Sequence, residues 1–206
     1  MATIYFIAGP PGVGKSTSGT LFTPKELDVL NEDDTRMKYK AQGYIDYKEH
    51  SMYRVRDMIR QNLINSVDFA LELNLGYTHQ YDYAKSMWNF NRANRIEAVL
   101  FFTDDLNLCL KRANLRYQHG LHLVEPQTIK EMYHNQLPLL KENFAMFDRI
   151  SFLNATETST EHIATYDKSF GLENHKNKKT IWFHRDLEPF IENYIWENDI
   201  GKSLGR

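Results

Sequence analysis

Apolar positions along this chain fall into two rhythms. Near-continuous apolar runs occupy Thr3 to Ala8, Val67 to Leu73 and Ala98 to Thr103, with weaker ones at Leu27 to Leu30 and Arg149 to Leu153. Unbroken runs of this length suit strands buried on both faces, as in a parallel sheet. Between them apolar residues recur at helical spacing: Met52, Val55, Ile59 and Leu63; Leu106, Leu110 and Ala113; then Ile129, Met132, Tyr133, Gln136, Leu137 and Leu140. Strands alternating with helices predict an α/β chain in three layers, doubly wound on a mostly parallel five-stranded sheet. After Asn154 the pattern changes. Residues 156–160 (TETST) lead into a hairpin with strands near Ile163 to Ser169 and Thr180 to His184, turning at residues 173–177. A closing helix follows over Leu187 to Trp196. The expected organisation is a single domain over residues 1–206, with a core of about 1–154 and a C-terminal hairpin-helix appendage over 155–206.

Composition removes several classes. Lys plus Arg total 25 against 27 Asp plus Glu, a formal charge of −2, which argues against a protein that wraps long nucleic acid or binds a membrane through basic residues. Cys109 is the single cysteine, so no internal disulfide and no Cys-x-x-Cys metal site exists, and a buried thiol is expected. The N-terminus lacks a basic signal region, and Ala98 to Phe102 is far shorter than the ~20 residues of a membrane helix. A cytoplasmic protein is expected.

The chemistry begins at Gly9-Pro10-Pro11-Gly12-Val13-Gly14-Lys15-Ser16, a full match to G-x-x-x-x-G-K-[ST], with Thr17 following. It lies between an apolar strand and an expected helix start. Glycines let backbone N–H groups turn inward around phosphate oxygens, and a helix N-terminus adds partial positive charge. Lys15 would neutralise the β- and γ-phosphates, and Ser16 would hold Mg²⁺. The motif thus implies ATP or GTP with Mg²⁺ on a P-loop NTPase fold of the kinase type.

The acceptor side is read from charges at strand ends. Leu27 to Leu30 runs into Asn31-Glu32-Asp33-Asp34, and Glu72 ends the strand after Asp68. Carboxylates there overlie the crevice where open sheets bind ligands, and one could take a proton from an acceptor hydroxyl. A solvated acidic turn is the plainer alternative. Arg112 and Arg116 lie four apart on one helical face, where like charges repel unless an anion lies against them. His119 and His122, in a Gly-containing loop without neighbouring carboxylate or cysteine, do not read as a metal pair.

The order of these pieces resembles the zeta-toxin-like P-loop kinases. Five blocks between residues 4 and about 154 carry it: GPPGVGKST at 9–17, LNEDD at 30–34, DFALELNLG at 68–76, KRANLRYQHGLHLVEP at 111–126, and the helix with Tyr133. The resemblance implies nucleotide-dependent phosphorylation of a small-molecule hydroxyl, which in the toxins belongs to a UDP-N-acetylamino sugar. It implies Asp33 as catalytic base with Asp34 as the shifted candidate, and Arg112 as the transition-state arginine; the phosphate motif and the arginine spacing add Lys15 and Arg116 on the transferring phosphoryl group. Glu72, Asp34, Asn74 and His122 would then be acceptor contacts, and an antitoxin protein a partner. Leu73, Asn74 and Gly76 replace two threonines and a serine of the family's acceptor loop, so the acceptor is expected to differ. Two other readings stand beside it: a P-loop ATPase or switch without an acceptor, and a nucleoside or polynucleotide kinase using Tyr44, Tyr47 and Tyr53.

Overall fold

The computed structural model describes residues 1–121, 123–175 and 180–204. Strand β1 (Thr3–Ala8) is followed by α1 (Lys15–Ser18), β2 (Val29–Leu30), α2 (Glu32–Ala41), α3 (Tyr47–Asn65) and β3 (Phe69–Glu72). Then come α4 (Thr78–Phe90), β4 (Arg95–Phe102), α5 (Leu106–Gln118), α6 (Pro126–Glu142) and β5 (Arg149–Ala155). The tail adds β6 (Thr160–Asp167), β7 (Gly171–Asn174), a π-helical turn over Trp182–Leu187, and α7 (Glu188–Leu204).

Alternation along each strand sorts its side chains between two cores. Ile4, Phe6 and Ala8 of β1 join Phe69, Leu71, Ala98, Leu100 and Phe152 on one face, under Val55 and Ile59 of α3, Tyr81 and Ala84 of α4, and Leu140 of α6. Ile7, Ala70, Val99, Phe101 and Leu153 form the other, with Val13 and with Cys109 and Ala113 of α5. The thiol of Cys109 is therefore a packing group, and burial pushes it up to about 11.

The sheet has seven strands in the order β2-β3-β1-β4-β5-β6-β7. The first five are mutually parallel, whereas β6 and β7 run antiparallel. Winding reverses about β1, which opens a crevice at the carboxyl ends of its neighbours. In the β1–β3 register Ile7 lies opposite Glu72, so that carboxyl group emerges beside the loop leaving β1.

Several expectations change. The five-stranded sheet is a mixed sheet of seven, because the tail hairpin extends it instead of ending it. Its second strand is Gly171–Asn174, with the turn at residues 168–170. The apolar run expected as a strand at Thr180 to His184 enters a helix, since Trp182 and Phe183 sink into the core beside Leu187 and Ile191. Part of the expected turn, residues 176 and 177, lies outside the described residues. Trp182 Nε1 donates to Asn154 Oδ1 at 3.0 Å, and Asp104 accepts from the backbone N–H groups of Ile181 and Trp182. Helices α2 and α4 were not expected from apolar spacing. No helix among the described residues is long and apolar enough to cross a membrane.

Candidate functional site

The phosphate loop is shaped by what it touches. At Gly9, φ is +138° and a Cβ would lie 2.2 Å from the Phe101 carbonyl oxygen on β4. At Gly12, φ is +81° and the same 2.2 Å separates a Cβ from the Cys109 carbonyl oxygen on α5. Only glycine permits both the backbone angle and the approach. The Gly9 N–H donates to the Asn74 carbonyl at 3.1 Å, tying the loop to the exit of β3. The helix expected after the loop is a single turn that passes into a 3₁₀ turn over Gly19–Phe22, where Gly19 packs against Ile7. One turn carries little macrodipole. The loop amides, with Lys15, must then supply most of the positive potential.

Lys15 opens that turn and is buried. Its Nζ donates to the carbonyls of Gly9 at 2.9 Å and Pro10 at 3.2 Å, and lies 4.0 Å from Glu72 Oε1. Burial lowers its pKa to about 8; Glu72 opposes the change, and the charge of Arg116 adds to it.

Glu72 is the hub of the acidic side. Ser16 Oγ lies 3.1 and 3.0 Å from its two oxygens, so one hydroxyl proton is shared between them, and Asn31 Nδ2 donates to Oε2 at 2.9 Å. Asn31 is also the N-cap of α2, accepting at Oδ1 from the backbone N–H groups of Asp33 at 2.9 Å and Asp34 at 3.3 Å. One side chain therefore fixes the first turn of α2 to the β3 carboxylate. Ser16 and Glu72 are hard oxygen donors that fit Mg²⁺, which in phosphoryl-transfer sites takes one or two protein oxygens beside those of phosphate and water. No three His, Cys, Asp or Glu side chains among the described residues are grouped to hold a metal by themselves.

These groups share a cavity of about 520 Å³, lined by Gly12, Gly14, Lys15 to Ser18, Asp34, Glu72, Arg112, Leu115, Arg116, Leu121 and residues 157–160. Of the two aspartates, Asp34 lines it. Asp33 pairs with Arg36 at 3.2 Å, and Arg36 also holds Glu32 at 2.7 Å. Gly9, Pro10, Pro11 and Val13 are buried behind the cavity wall, and Asn74 contributes its backbone there. Thr17 and Arg116 line the cavity and are exposed, while Arg112 is held by backbone carbonyls. His122 lies outside the described residues.

Asn31 and the β5–β6 loop are the parts that sequence reasoning did not assign to the site. Asn31 carries a readable signal, since Asn before three acidic residues marks a helix N-cap. The loop had none beyond its hydroxyls.

Comparison with solved structures comes to the same place. The chain is similar to a structure titled as AvrRxo1-ORF1:-ORF2 with ATP, at TM-score 0.62 and 11% identity over 81% of this chain. It is similar to one describing the PezAT chromosomal toxin–antitoxin system of Streptococcus pneumoniae, at TM-score 0.55 and 14% identity over 77% of this chain and 71% of that one. The fold is the zeta-toxin-like P-loop kinase fold. The chain is also similar to one in the Pnkp1/Rnl/Hen1 RNA repair complex, at TM-score 0.52 and 17% identity over 71% of this chain and 46% of that one. This chain spans 59% of the AvrRxo1 chain. No family model matches the sequence, and no curated protein does. Within the zeta-toxin-like fold the phosphate loop leaves β1, the middle one of the five parallel strands, and Glu72 stands on the strand beside it.

Proposed function

We propose that this protein is an ATP- or GTP-dependent, Mg²⁺-requiring kinase that transfers the γ-phosphoryl group to a hydroxyl of a small molecule. The observation carrying this reading is the joining of Ser16, Glu72 and Asn31 into one bonded set beside buried Lys15, with Asp34 lining the same cavity. Lys15 must leave two carbonyls to meet phosphate, and charge-assisted bonds to phosphate oxygens more than replace them. Mg²⁺, when bound, would offset phosphate charge; Ser16 and Glu72 are the residues to hold it. Asp34 would receive the acceptor proton, with Asp33, held by Arg36, the second candidate. Arg116 would lie against the transferring group. The changed acceptor loop at Leu73, Asn74 and Gly76 favours an acceptor other than a UDP-N-acetylamino sugar. Two of the similar structures are named as paired products, which supports an antitoxin-like protein partner.

The test is nucleotide consumption screened against nucleotide sugars, nucleosides and aminoglycoside-like compounds, with Lys15→Ala as the blank. Acceptor-dependent consumption is expected, falling at least a hundredfold in Asp34→Asn and less than tenfold in Asp33→Asn. Hydrolysis at one rate whatever the acceptor would replace the kinase by an ATPase. Ordinary turnover of UDP-N-acetylglucosamine would remove the altered acceptor.

A further inference from the structure

The two arginines of α5 are one turn apart and stand in different circumstances. The Arg112 guanidinium is committed to the backbone: Nη1 donates to the Val13 carbonyl at 3.1 Å, and Nη2 to the carbonyls of Thr156 at 2.6 Å and Glu157 at 3.1 Å. Arg116 has no hydrogen bond or ion pair among the described residues, is exposed, and lines the cavity that holds Lys15. We propose that Arg112 is a positioning residue that holds the phosphate loop through the Val13 carbonyl, leaving Arg116 as the guanidinium that meets the phosphoryl group as it transfers. This rests on the nucleotide-site reading above and departs from the role that the family resemblance implies for Arg112.

The physical argument starts from one peptide plane. No peptide bond among the described residues is cis, so the Gly14 N–H points opposite to the Val13 carbonyl that Arg112 grips. Fixing that oxygen fixes the plane, and therefore the direction of the amide on the other side of the loop. A cation on the carbonyl also polarises the peptide and strengthens its N–H as a donor. Gly14 has φ +111°, where no side chain holds the backbone in place, so an external brace has something to do. The brace needs a fixed foot, and the β5–β6 loop provides one. Ser159 N donates to Thr156 Oγ1 at 3.0 Å, Thr156 N donates to the Ser159 carbonyl at 2.9 Å, and Lys111 pairs with Glu157 at 3.1 Å. Moving Arg112 onto a phosphoryl group would break three bonds at once. Arg116 has none to break.

The experiment measures binding of a non-hydrolysable Mg²⁺·ATP analogue by calorimetry, beside phosphoryl transfer at saturating nucleotide. Losing charge-assisted bonds predicts that Arg112→Ala weakens binding about tenfold to a hundredfold, while transfer at saturation stays within about threefold. Arg116→Ala should do the reverse, leaving affinity within about threefold and transfer down about a hundredfold. Arg112→Lys keeps the charge but not the fork, should fold, and should still weaken binding several-fold. Millimolar guanidinium should restore affinity to Arg112→Ala and not to Lys15→Ala. Wild-type affinity in both Arg112 variants, or transfer lost at saturation with affinity intact, overturns the proposal. Binding effects as expected without transfer to any acceptor would sustain it while removing the kinase reading. A chain that binds no nucleotide overturns both.

Discussion

At the scale of single residues, Lys15 has the most to reveal. Its pKa of about 8 lies below the ordinary 10.5 because burial penalises the cation. Between those values the folded chain binds fewer protons than the unfolded one, so the Lys15 contribution to stability rises with pH across that window and is least favourable below about 8. Phosphate favours the cation, so nucleotide binding at pH 8 to 8.5 should take up protons. Calorimetry in buffers of different ionisation enthalpy should report that uptake, and Lys15→Met should abolish it. Affinity should fall as pH rises through about 8. This residue was legible in the sequence because its motif is local, a strand followed by Gly-x-x-x-x-Gly-Lys-Ser. Glu72 was legible as a strand-end carboxylate. Its bonds to Ser16 and Asn31 were not, since these partners are 56 and 41 residues away.

Among elements, α2 shows why periodicity failed. It buries no residue, so no apolar stripe marks it; it is held at its start by Asn31, with Glu32, Asp33 and Asp34 favouring its N-terminal dipole. Asn31→Ala removes the cap and one bond to Glu72, and should destabilise the chain by about 1–3 kcal/mol in urea titrations. Asn31→Asp should keep the helix yet weaken nucleotide binding, by setting a second carboxylate against Glu72. Helix α4 hid differently: its buried face is Tyr81, Ala84 and Met87, mixed with polar neighbours. In the tail, Ile181-Trp182-Phe183 has strand composition but turns helical because its aromatic rings pack against Phe102 and Phe152. That packing predicts that a chain ending at residue 155 will be insoluble or unfolded by circular dichroism and proteolysis, with no nucleotide-binding core recovered.

For the molecule as a whole, near-neutral charge conceals a local order. Lys15, Arg112 and Arg116 line the cavity along with Asp34, Glu72 and Glu157, so cations and carboxylates are concentrated where composition suggested nothing. The α/β class could be read from apolar runs because β1, β3 and β4 are largely buried, whereas a mixed sheet of seven strands could not. The order of strands and the place of the tail could not, since both are set by pairings far apart in the chain. One of those distances has a bearing on synthesis. Val13 precedes Arg112 by 99 residues, and Thr156 follows it by 44. On a ribosome adding about 5–20 residues per second, the brace on the phosphate loop can close only roughly 7 to 30 seconds after that loop is made. An emerging chain would thus carry its nucleotide motif unbraced until the β5–β6 loop has left the ribosome, and acquire tight binding only after that.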